Sequence, residues 1–252
     1  MTDCALVLSG GGARGAYQAG GLTAIEEITR RHRIPQPFRV ICGISAGSLN
    51  GTFLGLRIDD FRAGTRRLVE LWSGLQTGHV FRTDRASLGT NALRWLGQAS
   101  LGAAFDRHPA RSLLDTSPLR KLIVRELSQG SIAAQIDAGR LRAVSVSATD
   151  YDSGFGVTFV QGTPETVLWR RFRRASEATT LRADHLMASS AIPLLFPPAK
   201  IEQRWYGDGG TRNTAPLSPA VRLGADRLVV VGVRPPRGPE AYAPGIPSEE
   251  PG

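Results

Sequence analysis

The sequence predicts an α/β protein built on a parallel sheet, and two observations carry that expectation. The apolar run Ala5-Leu6-Val7-Leu8-Ser9 ends in the turn Gly10-Gly11-Gly12-Ala13-Arg14-Gly15. A second run, Phe38-Arg39-Val40-Ile41-Cys42, breaks at Gly43-Ile44-Ser45-Ala46-Gly47. Each is followed by a stretch able to form a helix. Strand, tight turn and helix, twice over, open a parallel sheet with right-handed crossovers.

The elements follow in order. Tyr17 to about Arg31 reads as a helix with Leu22, Ile25 and Ile28 on one face, stopped by Pro35 and Pro37. Phe38–Cys42 suits a strand buried on both faces, and Ala46-Gly47-Ser48-Leu49-Asn50 begins the next helix. Asp59 to about Leu75 is amphipathic through Phe61, Leu68, Val69 and Trp72. Residues 78–115 mix Gly, Arg and isolated large apolars with weak periodicity; they suit surface helices, or a lid or lipid-facing insertion. A helix is expected at about 118–127, a strand at Leu141–Ser147 and a hairpin partner at Gly156–Val160. Further helices are expected within Glu165–Arg174 and Leu181–Ala191. Ile201–Tyr206 reads as a strand feeding Gly207-Asp208-Gly209-Gly210, and Arg227–Val233 as a buried strand. Residues 4–235 thus form one domain, and 236–252, rich in Pro, Gly and Glu, a disordered tail or linker.

Composition excludes several classes. With 252 residues, 41% hydrophobic and 21% charged, the chain can bury one sizeable core. Its net charge of +9 is carried almost wholly by scattered Arg, Lys occurring only at 121 and 200, which argues against a dedicated nucleic-acid surface. The same charge favours anionic phosphates or an anionic membrane face. Cys4 and Cys42 read as small core hydrophobes. His32, His79, His108 and His185 lack ligand spacing, so no metal site is expected. The first apolar run is too short for a signal peptide, and none reaches the length of a membrane span. A soluble intracellular protein is the expectation.

The chemistry lies in the glycine motifs. Gly10-x-Gly12-x-x-Gly15 matches the dinucleotide-binding fingerprint, but the second strand ends without the carboxylate that would bind a ribose hydroxyl. No nucleotide cofactor is expected. In that slot stands Gly43-x-Ser45-x-Gly47, a strand-to-helix turn of the kind that exposes a nucleophilic Ser Oγ near a helix N-terminus. The same geometry fits Ser45 as a helix N-cap. For acyl transfer the N–H groups of Gly11 and Gly12 suit a tetrahedral oxyanion. Arg14 either adds charge there or pins the loop through carbonyls, the second role being favoured. Two residues compete as proton acceptor. Asp208, between glycines after a strand, can approach another loop without steric cost, although it also fits an Asx-turn. His185 would need an upstream acid, Asp150 or Asp152, in a Ser-Asp-His order.

These motifs, in this order and together with Ala188-Ser189-Ser190-Ala191-Ile192-Pro193 and Phe196-Pro197-Pro198, resemble the patatin-like phospholipase family over roughly residues 4–235. The resemblance implies a three-layer α/β/α sandwich around a mainly parallel sheet and a lipid acyl hydrolase without a required cofactor or metal. It implies Ser45 as nucleophile, Asp208 as proton acceptor with Gly209 and Gly210 beside it, and the loop Gly10–Gly15 as oxyanion hole. The nucleophile turn would comprise Gly43, Ile44, Ala46 and Gly47. Its substrate class is a lipid acyl ester, and no nucleic-acid partner is implied. Peripheral membrane contact rests on the 78–115 segment and the positive charge. Nothing in the motifs specifies an oligomeric state. A lipid- or phosphate-binding module of the same fold is the other reading.

Overall fold

The two strands that open the chain as unbroken apolar runs, Cys4–Leu8 and Val40–Ile44, lie inside the sheet, where both their faces are covered. The computed structural model describes residues 3–34, 36–82, 112–211 and 216–233. Most of the 78–115 insertion and the whole 236–252 tail lie outside the described residues.

β1 (Cys4–Leu8) and β2 (Val40–Ile44) pair in parallel, Leu6 opposite Ile41. β3 (Ala143–Asp150) joins the far side of β2 in parallel, Ile44 opposite Ser147. β4 (Gly156–Gly162) returns antiparallel to β3, the hairpin expected from the sequence. Beyond it stand β6 (Arg174–Ala178), parallel to β4, and the two-residue β5 (Arg170–Arg171). β7 (Ala199–Ile201) and β8 (Arg204–Asp208) form a hairpin, and β9 (Arg227–Val231) pairs with β1 in parallel. The main order is β5-β6-β4-β3-β2-β1-β9. Where β2 ends, β8 takes over its lane against β3, placing Ala148 opposite Asp208.

One face of the sheet, with Leu6, Leu8, Ile41, Val144, Val146 and Phe159, carries the larger core. Covering it are α1 (Gly15–Arg31), α2 (Ala46–Gly55), α3 (Phe61–Ser73), α5 (Ser117–Leu127), α6 (Ile132–Asp137) and α7 (Ala183–Ser189); α4 (Thr77–Val80) is a single turn beside α5. On the opposite face Val7, Val40, Cys42 and Val160 pack on Ala220 of α8 (Leu217–Arg222). The α/β sandwich expected from the sequence is observed, parallel through its middle and antiparallel towards β4 and β8.

Four local expectations are corrected. The helix expected within Glu165–Arg174 is a hairpin arm. Arg favours helices, but pairing with β4 and the bonds of Ser176 Oγ to the backbone of Trp169 override propensity. Ile201–Tyr206 is two strands, because the chain reverses at Glu202 (φ 53°) without a glycine to announce it. β9 lies at the sheet edge with Val230 exposed, not buried, since only β1 pairs with it. On α1, Ile28 is exposed, and Gln18 and Glu26 occupy the buried face with Leu22.

Candidate active site

Two close backbone approaches build the turn around Ser45. A Cβ on Gly43 would collide with the carbonyl of Gly47, and one on Gly47 with the carbonyls of Leu8 and Ser9. The first turn of α2 therefore folds over the end of β2 and lies against the end of β1. That brings the glycine loop alongside, so that a Cβ at Gly10 would stand 3.3 Å from Ser45 Cβ. Ser45 sits at φ 54°, ψ −127°. Such backbone costs of order 1–3 kcal/mol and persists only where surrounding contacts hold it.

Those contacts are specific. The Ser45 N–H donates to Ser189 Oγ at 2.9 Å, and Ser189 Oγ donates to the Ser147 carbonyl at 2.7 Å. The Ser45 carbonyl accepts from Ser48 N and Ser48 Oγ. Its side chain does not cap α2; Ser45 Oγ donates to Asp208 Oδ2 at 2.8 Å. Asp208 Oδ1 meanwhile accepts from Gly210 N at 2.6 Å, so the Asx-turn and the serine contact coexist on one carboxylate. Both Ser45 and Asp208 are buried. Burial raises the Asp208 pKa above its ordinary value, an effect the Gly210 N–H and the Ser45 hydroxyl partly offset.

The glycine loop turns through Gly12 (φ 56°), where a side chain would strain the backbone. The N–H groups of Gly11 and Gly12 donate to no acceptor among the described residues. Arg14 donates its backbone N–H to the Gly11 carbonyl, and its exposed guanidinium bonds no carbonyl among the described residues. The loop is held from behind instead. Gln18 Nε2 donates to the Ser9 carbonyl at 2.8 Å, Asn50 Nδ2 to Gln18 Oε1 at 2.9 Å, and Trp72 Nε1 to Asn50 Oδ1 at 2.7 Å. Sequence reasoning passed over Gln18, named Asn50 only as part of a helix start, and quoted Ser189 within the Ala188–Pro193 segment without giving it a role. Buried polar residues on otherwise apolar helix faces were the available signal.

His185 is not brought to Ser45 by any hydrogen bond. Its Nδ1 accepts from Arg182 N at 3.0 Å, its Nε2 lies 3.4 Å from Thr179 Oγ1, and its ring packs on Phe159. Burial, reinforced by Arg182, lowers its pKa to about 4. Asp150 accepts from Asp152 N and Ser153 Oγ, which makes it the anchor of a turn. Burial pushes the Cys42 thiol up to about 12, leaving it un-ionised.

A cleft of about 420 Å³ opens beside Ser45, walled mostly by apolar side chains including Leu49, Trp72, Phe81, Ile192 and Phe196. A hydroxyl bonded to a buried carboxylate, near a loop whose N–H donors have no acceptor among the described residues and facing an apolar cleft, can lose its proton as it attacks a carbonyl carbon. Among the described residues no helix is long and apolar enough to cross a membrane, and no group of three or more His, Cys, Asp or Glu could hold a metal ion.

A family model described as patatin-like phospholipase matches residues 6–221. A cGAMP-activated phospholipase of Pseudomonas aeruginosa (strain BWHPSA011 / Pa011) is 28% identical over 214 residues, which are 84% of this chain and 53% of that protein. Among solved structures, VipD from Legionella pneumophila aligns with a TM-score of 0.51 at 16% identity, over 92% of this chain and 49% of that one. The chain thus spans about half the length of these proteins, and the likeness to VipD is one of fold.

Proposed function

The chain belongs to the patatin-like phospholipase family, and on that premise we propose that it hydrolyses lipid acyl esters with Ser45 as nucleophile and Asp208 as proton acceptor. The observation that carries this reading is the 2.8 Å hydrogen bond from Ser45 Oγ to Asp208 Oδ2, at the mouth of an apolar cleft.

In the proposed cycle Ser45 Oγ attacks the ester carbonyl while its proton passes to Asp208 Oδ2. The carbonyl oxygen becomes an oxyanion, and the N–H groups of Gly11 and Gly12 receive it. The C–O bond to the leaving alcohol breaks, and the alkoxide takes the proton back from Asp208. Water then attacks the acyl-serine, giving its proton to Asp208, which returns it to Ser45 Oγ as the fatty acid leaves. The raised pKa of Asp208 supports this role, because a base closer to neutral transfers protons with less loss. The acyl chain is assigned to the apolar cleft, where each methylene removed from water contributes about 0.8 kcal/mol. Residues 4–235 are assigned to a single catalytic domain.

The test is turnover of a chromogenic fatty-acyl ester together with labelling by a fluorophosphonate. Wild type is expected to do both, Ser45→Ala neither, and Asp208→Asn is expected to lose about 10²–10⁴-fold in kcat. Full turnover by Ser45→Ala would overturn the mechanism. An unlabelled wild type would favour the binding-module reading instead.

A further inference from the structure

Away from the cleft, exposed apolar surface gathers on one arm of the sheet. β5 and β6 are joined by a two-residue tip, Phe172 and Arg173, with Arg173 at φ 56°. Phe172 is 89% exposed and Val167, just before the arm, 74% exposed. Four exposed arginines, Arg170, Arg171, Arg173 and Arg174, surround the tip, and Arg173 lies over the Phe172 ring at 5.6 Å. None of the four guanidinium groups meets a carboxylate among the described residues. The base of the arm is anchored by Trp169, which packs against the core beside Ala220 and lies under Arg222, whereas between the tip and the body lies a cavity of about 260 Å³ reached by Ser147, Gly209 and Ser218.

Strand register fixes where this tip points. Ile44, the last residue of β2, is level with Ser147, and Ser147 with Thr158. Two residues further along β3, Thr149 is level with Gly156, and Gly156 with Arg174. Phe172 and Arg173 therefore overhang the same end of the sheet at which Ser45 opens, three strand spacings away, or roughly 14 Å. Tyr17, at the start of α1, and Leu194, between the cleft residues Ile192 and Phe196, are also exposed near that end.

We propose that the β5–β6 arm docks the protein on an anionic lipid bilayer, with Phe172 entering the interface and its arginines meeting headgroup phosphates. An aromatic tip ringed by guanidinium groups that meet no carboxylate among the described residues matches a surface that is apolar below and anionic above. A nucleic acid would satisfy the arginines but leave Val167 and Leu168 in water, which decides for the bilayer. Each arginine near such a surface strengthens binding by about fivefold. Docking by this arm turns the end of the sheet that carries Ser45 towards the membrane; that consequence rests on the lipid-hydrolase reading, whereas the docking itself does not.

The experiment is flotation of the whole chain with vesicles of phosphatidylcholine alone and of phosphatidylcholine mixed with phosphatidylglycerol. Wild type is expected to float only with the anionic vesicles, and less so as salt rises. Phe172→Asp and the pair Arg171→Glu/Arg173→Glu are each expected to lose about tenfold or more in partitioning. Both should turn over a soluble short-chain ester at the wild-type rate. Variants that float like wild type would overturn the proposal, and so would a wild type that ignores anionic vesicles but binds nucleic acid. Arm-dependent flotation by a protein that cleaves no soluble ester would sink the hydrolase reading and leave docking standing.

Discussion

Ser189 Oγ accepts the backbone N–H of Ser45 at 2.9 Å while donating to the Ser147 carbonyl at 2.7 Å. One hydroxyl thus ties the strained turn to the strand beside it. Ser189→Ala leaves a buried N–H and a buried carbonyl without this partner, at a cost of about 1–3 kcal/mol. Because the hydroxyl acts through the Ser45 backbone, kcat should fall with little change in KM. Urea unfolding and steady-state kinetics on a soluble ester check both halves.

On the proposed mechanism Asp208 sets the acid limb of activity. Burial raises its pKa, so the active carboxylate is lost as pH falls through a value above the ordinary 3.8. The raised pKa also means that the fold favours the protonated form, and ionisation therefore costs stability as pH rises through that range. Asp208→Asn should be nearly inactive yet more stable than wild type at neutral pH, with the gain vanishing at pH values below the ordinary carboxylate pKa. Thermal melts across pH and the kcat/KM profile test this.

For His185 the sign is reversed. Its pKa is lowered to about 4 from 6.5, chiefly by burial, so the fold favours the neutral ring. The stability it contributes is complete above pH 6.5 and is lost as pH falls from there towards 4. His185→Gln should flatten that part of the melting curve while leaving the acid limb of kcat/KM in place. An acid limb that shifted with His185→Gln would reassign the base.

Two glycines separate packing from backbone entropy. Gly20 lies in α1 with open space where a Cβ would be, and Gly20→Ala should stabilise by about 0.5–1 kcal/mol. A Cβ on Gly47 would meet the carbonyls of Leu8 and Ser9, so Gly47→Ala should cost about 3 kcal/mol or more and disturb the active-site turn. Chemical denaturation of the two variants side by side resolves the contrast.

What was legible in the sequence was local. β1, β2 and the turn at Ser45 announce themselves because glycine is needed where backbones touch, and Gly43 and Gly47 supply it within a few residues of the strand. Asp208 was legible because its flanking glycines leave room for another loop. Ser189 stood in a segment quoted for the resemblance, but its role was not legible, since the group it serves is 144 residues away in the chain. The arm at Arg170–Ala178 was misread because its structure is decided by the edge of β4, which local propensity does not encode. The reversal at Glu202 and the exposure of β9 were missed for related reasons: one turn lacks its usual residue, and a Val-rich strand looks the same at an edge as in the middle.

The way β2 and β8 share one lane along β3 has a kinetic consequence. Ser45 and Asp208 are 163 residues apart, and their meeting requires β3 to have paired with both neighbours. Contacts of such sequence separation form late in folding, after the entropy of closing a long loop has been overcome. On a ribosome, a chain that has not yet reached residue 208 carries the serine without its partner. Catalytic competence should therefore appear all at once, near the end of folding, and labelling by a fluorophosphonate during refolding should lag the recovery of helical signal.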